Sequence, residues 1–262
     1  MQKKNKLSVH RPSKRLINDI TDDEFGYYLA GLMDGDGHIS TIGHIVISFN
    51  SRYNDKRDAF MIRSRIGFGK IRQVKDKSAV NLIISNKEGI AHFSKLILNK
   101  LKHPTRIAQF NERLCSKFDF IAKTSLNTNI NWDCLWFSGF VAADGYIRIH
   151  IPYRKHRKKY EVRLLCQIDQ KSDILLQQIK SKFGGSVGYR EPNDTYYYSS
   201  VSFKSMFNLL KYFDNYSLQS TRFYLRYTII RKSYLIIQQD LHLTSEGLEK
   251  LFRYKDLLKD MI

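Results

Sequence analysis

The spacing of apolar residues early in the chain predicts one helix followed by two strands. Thr21-Asp-Asp-Glu24 has the form of a helix capping box, and the apolar residues between Tyr27 and Met33 continue at helical spacing. His38-Ile-Ser-Thr then alternates as a strand does, and a second strand ends at Phe49-Asn-Ser-Arg52. A short helix follows and ends at Ile66-Gly67, because glycine commonly terminates helices.

The same order of elements recurs in the second half of the chain. Leu29-Ala-Gly-Leu-Met-Asp-Gly-Asp-Gly37 and Phe137-Ser-Gly-Phe-Val-Ala-Ala-Asp-Gly145 agree at their apolar, small and aspartate positions. Tyr146-Ile-Arg-Ile-His-Ile then alternates as a strand, a second strand ends at Leu164-Leu-Cys-Gln167, and a helix ends at Phe183-Gly184. We therefore predict an α+β fold, built as a duplicated αββαββα unit.

Domain boundaries follow from this duplication. We expect a basic N-terminal tail at 1–20, a first repeat at 21–124, a polar linker at 125–131 and a second repeat at 132–262. Asn129 or Asn131 is expected to cap the first helix of the second repeat, ahead of Trp132.

The charge of the chain points to a polyanionic partner. With 44 Lys and Arg against 25 Asp and Glu, the net charge is +19. The excess basic side chains repel one another in the folded state, and a polyanion would offset that repulsion. A merely basic soluble protein is the alternative interpretation. A membrane partner is not expected, because no stretch approaches the roughly 20 apolar residues of a membrane span.

The cysteines and the N-terminus add little chemistry. Cys115, Cys134 and Cys166 are scattered without zinc-ligand spacing, which favours free thiols in a reducing compartment. The stretch from Met1 to Arg15 is basic and lacks an apolar core, so it is not a secretory signal. We expect a mobile tail that seeks phosphates, or part of an organelle address.

Small residues in the two nine-residue segments predict a close helix pair. Gly31 and Gly35 in the first segment, and Gly139 and Ala143 in the second, stand at i and i+4, on one face of each helix. Glycine inside a helix costs about 1 kcal/mol relative to alanine, so a compensating contact is needed. Direct packing of one helix against its twin provides it, whereas an ordinary helix end explains only the terminal glycine.

Two acids occupy matching places in the two segments. Asp36 and Asp144 both precede the terminal glycine, so symmetric pairing of the helices brings both carboxylates to one end of the pair. Adjacent carboxylates require a cation, and hard oxygen ligands suit Mg²⁺. Mg²⁺ is used in phosphodiester hydrolysis. Asp34 has Ala142 as its counterpart, which favours a helix-terminal or hydrogen-bonding role over metal binding.

These residues resemble the motifs of the LAGLIDADG homing endonuclease family, in its single-chain, two-motif form. Leu29–Gly37 departs from the family name only at Met33 and Gly35, and Phe137–Gly145 is a looser match. The resemblance runs from about Thr21 to the C-terminus, where Thr244-Ser-Glu-Gly-Leu248 is similar to the start of the family's closing helix.

The resemblance implies a fold, an activity and a metal site. It implies a pseudo-twofold monomer whose two antiparallel four-stranded sheets form a saddle over double-stranded DNA. It also implies metal-dependent cleavage of both strands, leaving short 3′ overhangs. Asp36 and Asp144 match the family's metal-binding acids; Gly35 and Ala143, which precede them, complete the expected site for two or three Mg²⁺ ions shared with DNA.

A departure from the family pattern concerns the auxiliary catalytic residues. Many members place a basic or amide residue, often Lys, before the helix that closes each repeat. Aligning Ile107–Arg113 with Ser220–Arg226 puts Gln109 and Arg222 at that place. The alternative interpretation is that both are plain surface residues. Glutamine can orient a water and arginine can stabilise phosphate charge.

Strand alternation predicts which side chains contact DNA. Outward positions carry polar and basic groups suited to base edges in the major groove, with ordinary solvated sheet residues as the alternative for any one of them. The predicted set is His38, Ser40, Ser48, Asn50, Arg52, Arg72, Lys75, Tyr146, Arg148, His150, Arg154, Lys155, Arg163, Gln167, Tyr189 and Arg190. The hairpin tip at Tyr153–Lys159 has no equally long counterpart in the first half, which predicts a long, non-palindromic site.

Three functions from different classes remain open at this point. The first is a site-specific DNA endonuclease. The second is an intron maturase that binds the host intron RNA, and the third is a DNA-binding regulator without cleavage activity. Retention of both acids argues against the third, and Lys-, Asn-, Ile- and Tyr-rich usage is compatible with an AT-rich mitochondrial or chloroplast genome.

Overall fold

A computed structural model describes residues 6–51 and 54–259 as two compact units. The first unit contains Lys14–Asp144 and Tyr216–Thr221. The second contains the residues before Lys14, together with Gly145–Asn215 and the residues after Thr221. The first helix of the second repeat therefore belongs to the same compact unit as the first repeat.

The first unit is a four-stranded antiparallel sheet covered by helices. Its strand order is β1-β2-β4-β3, with all neighbours antiparallel. The elements are α1 Asp22–Asp36, β1 Gly37–Ile39, β2 Ile45–Asn50, α2 Asn54–Ile66, β3 Lys70–Gln73, β4 Ala79–Ile84, α3 Lys87–Ile97, α4 Pro104–Gln109, a π-helical turn Phe110–Cys115, and α5 Trp136–Asp144.

The second unit repeats this topology with a longer hairpin. Its sheet has the order β5-β8-β10-β9, and a separate two-stranded hairpin pairs β6 with β7. The elements are β5 Gly145–His150, β6 Tyr153–Arg154, β7 Lys159–Tyr160, β8 Arg163–Gln170, α6 Ile174–Phe183, β9 Ser186–Arg190, β10 Thr195–Ser200, α7 Phe203–Asn215, α8 Thr221–Gln238 and α9 Ser245–Lys259.

The predicted α+β class and the duplicated αββαββα order are confirmed. At the start of α1, the Thr21 hydroxyl accepts from the Glu24 N–H while the Glu24 carboxylate accepts from the Thr21 N–H at 2.8 Å. Both predicted glycine ends are also present, since Gly67 and Gly184 follow α2 and α6 with φ of +78° and +79°.

The local expectations for Trp132 and Lys75 are wrong. Helix α5 begins at Trp136, because the Asn131 side chain accepts from the Asp133 N–H in a turn instead of capping a helix at Trp132. Lys75 lies in the turn between β3 and β4 and not in a strand, since β3 ends at Gln73. Arg52 falls outside the described residues.

The mobile tail expected from Met1 to Arg15 is packed from residue 6 onward, and its first five residues lie outside the described residues. Leu7 is buried, and its N–H donates to the Gln238 side chain of α8 at 2.8 Å. Farther along, Ile17 and Ile20 are buried, and the Arg65 guanidinium of α2 donates to both of their carbonyls. Apolar anchors between the basic residues thus hold residues 6–13 within the second unit and residues 14–20 within the first.

Each unit has its own aromatic and aliphatic core. Phe25, Phe93, Phe110 and Trp136 are fully buried in the first unit, as are Phe183 and Tyr198 in the second. Among the residues described, the three cysteines are free thiols. No helix within 6–51 or 54–259 is long and apolar enough to cross a membrane.

Candidate active site

Helices α1 and α5 touch backbone to backbone through their glycines. A Cβ atom added at Gly31 would lie 2.0 Å from the Trp136 carbonyl oxygen, and one at Gly139 would lie 2.1 Å from the Tyr28 carbonyl oxygen. Any side chain at either position would force the helices apart, because real Cβ atoms do not approach other atoms this closely. The missing side chains are therefore the condition for this helix pair.

The same contact brings the two aspartate-bearing helix ends together. A Cβ at Gly35 would lie 2.4 Å from the Ala143 Cβ and 2.7 Å from Asp144 Oδ2. The carboxylate of Asp144 thus lies against the backbone next to Asp36. Asp36 is exposed and Asp144 half-buried, and each is the last residue of its helix, directly before the first strand of its sheet.

Two helix ends and their carboxylates concentrate negative charge at this place, and an arginine of α4 lies beside it. Helix C-termini carry partial negative charge, and neither α1 nor α5 has a basic residue in its last turn. Arg106 of α4 is half-buried and donates from Nε to the Met33 carbonyl of α1 at 3.1 Å. Burial lowers the pKa of Arg106, and Asp34, Asp144 and Asp36 oppose that shift. Sequence reasoning missed Arg106, because its contact with α1 is tertiary.

Asp34 is buried and belongs to the packing of the helix pair. Its Oδ2 accepts from the Lys102 N–H and from Trp136 Nε1, both at 2.7 Å, which ties α1 to α5 and to the loop before α4. The predicted hydrogen-bonding role of Asp34 is confirmed. Burial raises the pKa of Asp34 to about 7, against the hydrogen bonds and Arg106, which lower it.

Asp34 should make the protein less stable as the pH rises. Its pKa is raised from 3.8 in the unfolded chain to about 7 in the folded one, so between these values only the folded state keeps the proton. Stability should therefore fall across this window, by up to about 1.4 kcal/mol per pH unit. Urea unfolding of wild type and Asp34→Asn at pH 5 and 7.5 measures this: the wild type should lose more stability than the variant. An equal loss in both proteins would contradict the assignment.

The predicted auxiliary residues lie in matching places of the two repeats. The Arg113 guanidinium donates to the Ile39 carbonyl, and that of Arg226 donates to the Ile147 carbonyl at 2.7 Å. Ile39 and Ile147 each stand three positions after their aspartate, on the edge strands β1 and β5. This repeated contact supports the alignment that pairs position 109 with 222.

The surroundings of these two auxiliary residues differ. The Gln109 side-chain oxygen accepts from the Ile39 N–H at 3.0 Å, which fixes the amide beside β1. Arg222 is half-buried near the start of α8, with its guanidinium 4.6 Å from the Phe223 ring centroid. Of the two, Gln109 alone can accept a hydrogen bond from a strand N–H, because a guanidinium group has no acceptor. Their catalytic roles stay predictions.

The solvent-facing side of the first sheet carries most of the residues predicted for it. Ser48 of β2 stands opposite Asn81 of β4, which stands opposite Arg72 of β3, and Ser48 donates to Asn81 at 2.9 Å. His38 and Asn50 are exposed on the same face, whereas Ser40 lies beyond β1 in the turn to β2. Burial, Arg106 and Arg113 lower the pKa of His38. Asn81 and Lys70 share this face and were missed, because the sequence pattern does not reveal strand register.

The solvent-facing side of the second sheet contains acids among its basic residues. The outward positions are Tyr146, Arg148 and His150 on β5, Arg163 and Gln167 on β8, and Arg190 on β9. Asp169 accepts from Gln167 at 2.9 Å and from Arg190 at 2.8 Å. Tyr189 faces the other side, because its register partner Tyr196 alternates with outward Tyr197.

The long hairpin shows the same pairing of arginine with acid. Arg154 of β6 and Arg163 of β8 both bond to Glu161, at 2.6 and 2.8 Å, and Lys155 is exposed at the tip. Hydrogen bonds from Arg163 and Arg154 lower the pKa of Glu161 to about 2. Glu161 and Asp169 thus each form an ion pair with at least one arginine of the second unit.

Comparison with known proteins decides the family. The sequence model described as LAGLIDADG endonuclease matches residues 137–234. A protein of Schizosaccharomyces pombe strain 972, named the uncharacterized cox1 intron-2 37.2 kDa protein, is 43% identical over 251 residues, covering 94% of this chain and 76% of that protein. This chain belongs to the LAGLIDADG endonuclease family.

A further relative and a solved structure extend the comparison. The intron-encoded RNA maturase bI4 of Saccharomyces cerevisiae strain S288c is 24% identical over 211 residues, covering 80% of this chain and 32% of that protein. The crystal structure of the LAGLIDADG meganuclease I-CpaMI bound to uncleaved DNA has a TM-score of 0.67 at 18% identity, covering 88% of this chain and 98% of that one. The structural likeness shows that the LAGLIDADG fold is shared.

The LAGLIDADG helix ends offer few protein ligands for a metal ion. Within 6–51 and 54–259, no group of three or more His, Cys, Asp or Glu side chains is placed to hold a metal. Two carboxylates from separate helices, with the backbone at Gly35 and Ala143, provide hard oxygen donors. This donor set is typical of an open Mg²⁺ site, and not of a structural metal site in which protein side chains supply every ligand.

Proposed function

We propose that this LAGLIDADG protein is an intron-type homing endonuclease that cleaves both strands of a long, asymmetric double-stranded DNA site. The observation that carries the proposal is the packing of Asp144 against the Gly35 backbone, next to Asp36. Two matching acids from two copies of one motif suit two matching reactions, one on each strand. Membership of an endonuclease family and the DNA-bound meganuclease of the same fold support it.

In the proposed reaction, Asp36 and Asp144 would hold Mg²⁺ through their carboxylates, with Gly35 and Ala143 contributing backbone oxygens. When bound, the metal ions supply an activated water and stabilise the leaving oxygen. On each strand one water oxygen bonds to phosphorus, the bond between phosphorus and a deoxyribose oxygen breaks, and that oxygen leaves as a hydroxyl. Gln109 and Arg222 are proposed to orient that water and to balance the phosphate charge.

We propose that the solvent-facing sides of the two sheets read the DNA sequence. Arginine, asparagine and glutamine make bidentate contacts with base edges, each worth about 1–3 kcal/mol of discrimination. The net charge of +19 supports phosphate binding around these contacts. The two faces carry different residues, and among the described residues the β6–β7 hairpin has no counterpart in the first unit, so the proposed target is asymmetric.

A second candidate is intron RNA binding in splicing. The similarity to a yeast protein named an RNA maturase favours it as an additional activity. A regulator without cleavage is disfavoured, because DNA binding alone gains nothing from adjacent carboxylates. The relative named for a cox1 intron, and the Lys-, Asn-, Ile- and Tyr-rich sequence, support action in an organelle, a mitochondrion or a chloroplast.

Cleavage of a DNA library tests the proposal. The full chain is incubated with plasmids that carry randomised sites, in Mg²⁺ or in EDTA, and linear products are sequenced. We expect linear products in Mg²⁺ alone, enriched for one long asymmetric sequence. Binding of selected DNA without linear products would support the regulator instead. Accelerated splicing of the host intron without any DNA cleavage would support a maturase.

A further inference from the structure

Arg106 is attached to the end of the helix that carries Asp36. Its Nε donates to the Met33 carbonyl at 3.1 Å, and the same carbonyl accepts the N–H of Gly37, the residue directly after Asp36. Arginine near a helix C-terminus offsets the partial negative charge of the free carbonyls. Helix α1 has no basic residue of its own in the last turn, so Arg106 supplies this charge from α4.

The acids around Arg106 belong to both helix ends. The negative charges of Asp34, Asp144 and Asp36 all raise the pKa of Arg106, whereas the positive charge of Arg113 lowers it. Because Gly35 contacts Asp144, the negative ends of α1 and α5 and their terminal carboxylates are concentrated in one place. Without a cation, such a concentration of like charge opposes the close packing of the helices.

We propose that Arg106 is the built-in counter-cation of the Asp36–Asp144 pair: it stabilises the metal-free helix ends, and divalent cations bind there against its charge. The inference rests on the proposed metal-binding role of these two acids. It makes Arg106 a positioning residue, which acts through the carboxylates and the end of α1. Arg106 thereby lets the glycine-mediated contact form before any metal is bound, and weakens metal binding in return.

Substitutions at position 106 separate charge from hydrogen bonding. Arg106→Gln keeps an N–H donor for the Met33 carbonyl but removes the charge, whereas Arg106→Lys keeps the charge. The measurement is thermal unfolding of the full chain in EDTA and in increasing Mn²⁺, with no DNA present. Ligand binding to the folded state raises the melting temperature according to affinity, so the titration reports the dissociation constant for Mn²⁺.

The two variants have opposite expected results. Arg106→Gln should melt at a lower temperature than wild type in EDTA and bind Mn²⁺ on the order of tenfold more tightly, since a repelling charge has been removed. Arg106→Lys should resemble wild type in both respects. Arg113→Gln is the matched control for loss of an arginine, and its expected gain in Mn²⁺ affinity is smaller. Unchanged or weaker Mn²⁺ binding in Arg106→Gln, or equal behaviour of the Gln and Lys variants, would overturn the inference.

The Asp36→Asn background separates this inference from the proposed function. Removing Asp36 should reduce the gain in Mn²⁺ affinity caused by Arg106→Gln, because the two charges act on the same site. If Arg106→Gln does not fold in EDTA, the double variant with Asp36→Asn should fold, and its failure to do so would refute the role of charge. Wild type that shows no Asp36-dependent stabilisation by Mn²⁺ would refute the proposed metal site itself.

Discussion

Replacing Asp36 or Asp144 with asparagine should abolish double-strand cleavage while leaving DNA binding in place. Each substitution removes a carboxylate charge from the proposed metal site and keeps the size of the side chain. Because metal ions contribute several kcal/mol to such hydrolysis, we expect cleavage of both strands to fall on the order of a thousandfold or more, or to leave nicking of one strand. Plasmid cleavage in Mg²⁺ and DNA binding by gel shift measure the two properties separately.

Asp34→Asn is the matched control for these substitutions. It removes a third carboxylate from the last turns of α1, but one that is buried and bonded to Lys102 and Trp136. We expect it to retain much of the cleavage activity wherever it is folded. Double-strand cleavage by Asp36→Asn or Asp144→Asn at the wild-type rate would show that the substituted acid is not required for catalysis.

Adding one methyl group at Gly31 should strongly destabilise the protein. The Cβ of Gly31→Ala would lie 2.0 Å from the Trp136 carbonyl oxygen, which belongs to backbone and cannot rotate away. Overpacking in a dense core costs about 1–3 kcal/mol and occasionally more, and a backbone clash belongs at the upper end. The gain of about 1 kcal/mol in helix propensity does not offset it. Urea unfolding measures the loss, and cleavage should fall with it because the carboxylates separate.

Gly67→Ala is the comparison for this experiment. It adds the same methyl group after α2, where no atom lies within 4 Å, so only the φ of +78° opposes the side chain. The Gly31 variant should therefore be clearly less stable than the Gly67 variant. Equal stability of the two would mean that α1 and α5 do not touch at Gly31, and the adjacency of Asp36 and Asp144 would lose its basis.

Local and repeated signals in the sequence were sufficient for most of the fold. The capping box at Thr21, the glycines after α2 and α6, and the alternation after each aspartate all describe interactions within a few residues. Internal duplication added the rest, because it matched Asp36 to Asp144 and left Asp34 without an equivalent. Where a local signal was ambiguous, as with Asn131, the predicted helix start was wrong by four residues.

Tertiary contacts explain what the sequence did not predict in the candidate site. Arg106 bonds to a carbonyl of α1, and Gln109 bonds to an N–H of β1, both far away along the chain. Nearly every residue has the same main-chain N–H and carbonyl groups, so the sequence does not indicate which of them a distant side chain will bond to. Asp169 and Glu161 were missed for a related reason, since strand register and hairpin folding decide which arginines they meet.

By itself, the sequence determined that two copies of one helix–strand unit exist, that small residues line one face of each leading helix, and that an acid ends each helix. These properties depend on residue type and on a spacing of three or four positions. The tertiary structure decided that residues 6–20 are packed within their units, that Tyr189 and Arg190 face opposite sides of their sheet, and that Arg106 lies near three carboxylates. The physical reason is that register, close packing and hydrogen bonds to the main chain arise only when distant parts of the chain meet.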